Sequence, residues 1–158
     1  MRTFKTLLGS TLLAALAVLC LSAPAPAPSQ ALQTWTPKPG SPERKAIMDG
    51  LRITAERKLH QKVIFVVNHL KVEGNWAFTI TIPKKPNGTP VNWQITQWRN
   101  LVKPGHETGE AFSGEVVGLL RKRAGHWRTV DYCIGPSDVC WEGWDRKYNA
   151  PSPIFKVN

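Results

Sequence analysis

Long apolar runs, metal-ligand motifs and acidic residues are all scarce in this sequence, and each scarcity removes a class of function. No stretch reaches the roughly 20 apolar residues of a membrane-spanning helix; the apolar run Leu7–Leu21 falls short. The four histidines, His60, His69, His106 and His126, are scattered without H-x-x-x-H or H-E-x-x-H spacing. A local zinc motif is therefore absent. None of the three cysteines stands in the C-x2-C spacing of thioredoxin-like or zinc-ribbon sites. Ser113, in "AFSGE", lacks the flanking glycines of a G-x-S-x-G nucleophile elbow. Neither a cofactor nor a metal is expected. Asp and Glu number 11 against 21 Lys and Arg, a formal net charge of +10. That excess favours anionic partners.

What is present begins with an export signal. Arg2 and Lys5 precede the uncharged core Leu7–Leu21, which has the length of a signal-peptide core. Ser29 and Ala31 supply small residues at −3 and −1, whereas cutting after Ala23, Ala25 or Ala27 would leave proline at +1. The mature chain is expected to start at Leu32, with 1–31 removed. Leu19 precedes Cys20 where a lipoprotein signal needs a small residue, so no acyl anchor is expected. Two of the 21 basic residues leave with the signal and no acidic ones, so 19 face 11 and the mature charge is +8. Residues 32–158 make one domain by length, enough to bury roughly two thirds of the unfolded surface. The product is expected to be soluble, exported to the periplasm or beyond.

Export shapes the reading of "CIGPSDVCWEGWD". Only Cys133 and Cys140 remain in the mature chain, an even pair in an oxidising compartment. Gly135 and Pro136 can turn the chain between them. A disulfide here closes a short loop and stabilises by roughly 2.5 kcal/mol on the chain-entropy model. The alternatives are two free buried thiols, or a metal or redox pair.

Residues 32–40 read as an extended, Pro-rich arm with Trp35 docked, and 41–158 as a single domain. Ser41, Pro42 and Glu43 are an N-cap, a first-turn proline and a first-turn acid. Ile47, Leu51, Ala55 and Leu59 recur every four residues, with Met48 beside them and Arg44, Lys45, Arg52, Arg57 and Lys58 opposite. This predicts an amphipathic helix over 42–60, weakened slightly by Gly50. Val63–Val72 and Trp76–Ile82 read as a hairpin turning at Glu73-Gly74-Asn75; Trp76, Phe78, Ile80 and Ile82 alternate with the milder Ala77, Thr79 and Thr81. Residues 83–115 read as an excursion with a short central strand. A second hairpin runs from Val116 to Arg123 and from His126 to Ile134 about Ala124-Gly125, with Val130, Tyr132 and Ile134 on its core face. "SDVCWEGWDRKY" reads as a short helix capped by Ser137, with Trp141, Trp144 and Tyr148 in one stripe and Asp138, Glu142 and Asp145 beside it.

One long N-terminal helix followed by antiparallel strands gives an α+β class, the helix packed on a curved antiparallel sheet. The order of helix 42–60 and the hairpin "VVGLLRKRAGHWRTVDY" resembles the cystatin-like or NTF2-like superfamily, which implies a roll. "SPERKAIMDGLR", "VEGNWAF" and "GWDRKYNAPSPIF" are similar to a group of small exported bacterial proteins. The resemblance carries over no catalytic residue.

Two features point towards binding. Arg121, Lys122, Arg123 and Arg128 surround a hairpin tip with Trp127 among them, a mixture that suits a polyanion. Export makes anionic lipid, wall polymer or an acidic protein easier to reach than nucleic acid. The plainer reading is a charged edge that keeps the hairpin from pairing with other chains. Trp76, Trp93, Trp98, Trp127, Trp141 and Trp144 exceed what one core needs, so some, with Trp141 and Trp144 as candidates, would line a groove for a glycan or peptide. The plainer reading packs them between C-terminal segment and sheet. Carboxylates at Asp138, Glu142 and Asp145 read as solvated or ion-paired rather than as an acid/base pair. The expectation is an exported, non-catalytic binding module for an anionic or glycan envelope component. The alternative is a small hydrolase or isomerase using Asp131, His69 or Tyr132 in a pocket between helix and sheet.

Overall fold

The computed structural model describes residues 33–103 and 112–157. The expected signal peptide, Cys20 and His106 lie outside the described residues, as do residues 104–111 of the 83–115 excursion. Ser41 opens helix α1 (Pro42–Leu59): its backbone is extended, and its hydroxyl accepts from the Arg44 amide at 3.3 Å. The helix closes at His60, which is left-handed at φ 57°. Among the described residues no helix is long and apolar enough to cross a membrane.

Four antiparallel strands follow: β1 (Ile64–Glu73), β2 (Trp76–Lys84), β3 (Val116–Arg123) and β4 (His126–Ile134). They form one open sheet in the order β1-β2-β3-β4, so the class is α+β. Ala124 and Gly125 take φ 48° and 79° between β3 and β4. Two successive positive φ angles suit a two-residue hairpin, because their twist matches that of the strands. The arm is tied to the sheet through backbone: Trp35 exchanges hydrogen bonds with Val72 at 2.9 and 2.8 Å. Its side chain, expected to dock, stays 45% exposed.

Both faces of the sheet are covered. On the inner face, Ile47, Leu51, Ala55 and Leu59 of α1 pack with Val72, Ala77, Leu120, Trp127 and Ile134. Burying each of the larger aliphatics contributes roughly 1.5–3 kcal/mol. Helix and sheet approach closely at two glycines. A Cβ at Gly50 would lie 2.6 Å from the Trp127 carbonyl oxygen, and one at Gly118 would lie 2.6 Å from the Leu51 side chain. Gly50, which reads in the sequence as a weak point of the helix, is its point of contact with β4. Val91, Trp93, Val102 and Phe112 from the excursion join the same cluster. Residues 93–95 form a 3-10 turn where a strand was expected. The Asn92 side chain accepts the Gln94 amide and turns the chain there.

On the outer face, Trp76, Phe78 and Ile80 of β2 meet Val117 and Leu119 of β3 beneath Trp144, Ala150 and Ile154. Helix α2 spans Trp144–Tyr148 and a 3-10 turn spans Ser152–Phe155. Ser137 does not cap this helix; Gly143 does, at φ 77°. A helix running from Ser137 would have to pass through that left-handed residue. Since β2 is buried on both faces, its inner Thr79 and Thr81 hydroxyls are satisfied by the His69 and Val116 carbonyls at 2.8 and 2.9 Å.

Two β-bulges set which side chains face which layer. The β1–β2 register shifts between Val67 and His69, leaving Asn68 unpaired. The β3–β4 register shifts between Leu119, opposite Asp131, and Leu120, opposite Thr129, leaving Val130 unpaired. An extra residue reverses the period-2 alternation beyond it. Val130 is therefore exposed, whereas Tyr132 and Ile134 pack with the inner cluster. His69 leaves the face of Phe65 and Val67 and joins the outer layer, edge-on to Phe78 at 5.6 Å.

Candidate functional site

The end of the β3–β4 hairpin divides its cations between the two faces. Lys122 and Trp127, directly opposite each other, point inwards and share one carboxylate. Lys122 Nζ lies 3.0 and 3.2 Å from the Glu43 oxygens, and the Trp127 indole donates to Glu43 Oε1 at 2.9 Å. This pairing fastens the first turn of α1 to the hairpin. Trp127 is buried in the inner cluster, so it offers no face for stacking.

Alternation places Arg121, Arg123, His126 and Arg128 on the outer face. Arg121 stands directly opposite Arg128, and Arg123 opposite His126. Opposed side chains have Cβ atoms about 4.5–5.5 Å apart, and like charges so placed destabilise a sheet by roughly 0.2–1 kcal/mol. Arg121 lies over the Trp76 ring, 4.8 Å from its centroid. Arg123 and Arg128 are exposed. None of these three arginines bonds a carboxylate among the described residues. The site is thus a concentration of positive charge on a two-stranded hairpin, with no carboxylate on its arginines among the described residues. The period-2 pattern of "RKRAGHWR" about its two-residue turn contains this division, but a reading that pooled all four cations missed it.

The outer-layer tryptophans are structural in position. Trp144 is buried, and Trp141 is half-buried with its ring 5.4 Å from Phe78. Cys133 and Cys140 are paired at disulfide distance with Cα atoms 6.6 Å apart, and both pack on the outer cluster. The pair ties the end of β4 to the segment leading into α2.

The acid–base candidates do not converge. Asp131 is on the outer face of β4, where it accepts from the Tyr148 hydroxyl at 2.5 Å, the Tyr132 amide at 2.8 Å and Lys147 Nζ at 3.1 Å. Burial pushes its carboxyl up, but those three donors outweigh burial and hold it below the usual carboxylate value. Tyr132 packs on the inner face, with Lys58 Nζ 5.9 Å from its ring. His69 is three strands from Asp131, roughly 14 Å at the usual strand spacing. Its Nε2 meets the Ile154 carbonyl at 3.3 Å. Burial lowers its pKa, the carbonyl opposes that shift, and the Lys71 charge adds to it. Asp138 and Glu142 are exposed, and Asp145 accepts from Ser152 at 2.9 Å. No group of three potential metal ligands occurs among the described residues.

Comparison with known protein families, with curated proteins and with solved structures gives no match.

Proposed function

We propose that this chain is an exported, non-catalytic binding module, a roll of the cystatin-like or NTF2-like kind, whose ligand is an anionic component of the cell envelope held at the outer face of the β3–β4 hairpin. One observation carries this reading: Arg121, Arg123 and Arg128 share one sheet face with His126, without a carboxylate partner among the described residues. A sheet gains nothing from opposed arginines, so a bound anion would relieve an unfavourable pair. The cysteine pair is compatible with the oxidising compartment that export implies. Between an anionic and a neutral glycan ligand, the anionic one is favoured, because Trp127 and Trp144 are buried. The alternative, a hydrolase or isomerase using Asp131, His69 or Tyr132, has less support: Asp131 and His69 stand three strands apart, and Tyr132 faces the opposite side of the sheet from both.

The test is retention of the exported protein on its own envelope fraction at low and at high salt. Retention should fall as salt screens the contact. Replacing Arg121, Arg123 and Arg128 together by glutamine should abolish it while leaving the thermal midpoint within a few degrees. Retention that ignores both salt and the triple variant overturns the reading.

A further inference from the structure

Resting on that anion-binding reading, we infer that the Arg121–Arg128 pair selects a tetrahedral oxyanion, the phosphate group of an ester or polymer, over a carboxylate. Each guanidinium is a planar fork that donates two parallel N–H bonds. A carboxylate has two oxygens in one plane, and one end-on fork takes up the inward-facing lone pair of each. Phosphate spreads its oxygens over a tetrahedron and accepts two forks arriving from different directions. The register supplies those two forks: Arg121 and Arg128 are direct cross-strand partners on one face.

Arg121 is also pre-oriented. Its guanidinium lies over Trp76, whose ring is buried and therefore fixed. A guanidinium held over a ring in this way keeps N–H donors for a ligand. The Asp131 carboxylate, also on the outer face, is already engaged by Tyr148 and Lys147 and offers little repulsion. The Arg123–His126 pair lies two residues further along each strand. That is roughly 7 Å on, so a ligand with successive phosphate groups can meet both pairs.

The experiment titrates the exported protein with polyphosphate and with polyglutamate of similar length, following Trp fluorescence and calorimetric heat. Polyphosphate should bind the wild type about 10-fold more tightly than polyglutamate. Arg121→Lys and Arg128→Lys keep the charge and remove the fork. Each should weaken polyphosphate about 10-fold and polyglutamate less than about 2-fold. Phosphatidylglycerol vesicles and inorganic phosphate tell the sources apart, since vesicle binding lost in both lysine variants assigns the phosphate to a lipid headgroup. Equal affinity for the two polymers, or lysine variants that bind like wild type, overturns the fork while leaving anion binding intact. If no anionic probe binds, the anion-binding reading itself fails.

Discussion

The two faces of the sheet are covered in opposite ways. The inner face lies under one regular helix whose aliphatic stripe repeats every four residues. The outer face lies under a short helix, a 3-10 turn and a cysteine pair, with Phe78 touching Trp141, Trp144, Phe155 and His69. A helix brings its own hydrogen bonds and can present aliphatics at fixed spacing. An irregular cover cannot, so it relies on large rings and a closely placed cysteine pair to reach comparable burial.

The sharpest test of that contrast is Phe78→Ala. Phe78 is fully buried at the centre of the outer layer. Its truncation should cost about 3–5 kcal/mol in urea denaturation, because four neighbouring rings lose their common surface. A cost below 1 kcal/mol would show that the outer cover is incidental to folding.

Removing the tie should come next. The Cys133→Ser/Cys140→Ser protein should lose roughly 2.5 kcal/mol. Limited proteolysis should then cut between residues 134 and 144 before it cuts α1. Intact mass after alkylation without reduction checks the premise, since two alkylated cysteines would show that no disulfide exists.

On the inner face Gly50→Ala sets two effects against each other. Alanine favours the helix by roughly 1 kcal/mol. Its Cβ, however, would meet the Trp127 carbonyl oxygen at 2.6 Å, and backbone cannot yield as a side chain can. Overpacking of that kind costs about 1–3 kcal/mol, so the expected net effect is a loss of about 1 kcal/mol in chemical denaturation. A gain would mean that α1 rides further from β4.

The smallest effect is on pH dependence, and it belongs to the outer face. The folded pKa of His69 is below its ordinary 6.5, so the unfolded chain takes up a proton that the folded chain resists. Its stabilising contribution is complete above pH 6.5 and is lost as pH falls through the folded value. Asp131, lowered from 3.8, behaves in the same sense in a more acidic window. Thermal midpoints should therefore decline in two stages on acidification, and His69→Gln should flatten the first stage alone. Decline confined to pH below 4 would remove His69 from the account.

Much of the inner layer is legible in the residues. Ser41-Pro42-Glu43, the Ile47–Leu59 stripe and the Ala124-Gly125 turn are local signals, each settled by chemistry within a few positions. The outer layer is less so. Trp144 and Phe78 are distant in sequence, and nothing in "GWDRKY" names the strand it covers. Bulges are harder still. Asn68 and Val130 look like ordinary strand residues, yet each reverses the facing of the strand residues beyond it. That reversal moved His69 away from Phe65 and exposed Val130.

By itself the sequence determined helix α1, the four strands of the sheet, the hairpin turn and the excess of positive charge, because propensity, periodicity and composition act over one element at a time. Only the tertiary structure decided that Gly50 is a contact, that Lys122 and Trp127 are consumed by Glu43, and that Arg121 and Arg128 face each other. Those outcomes depend on register and on the approach of elements distant in the chain. A shift of one residue in either strand would have exchanged the buried cation for the free ones.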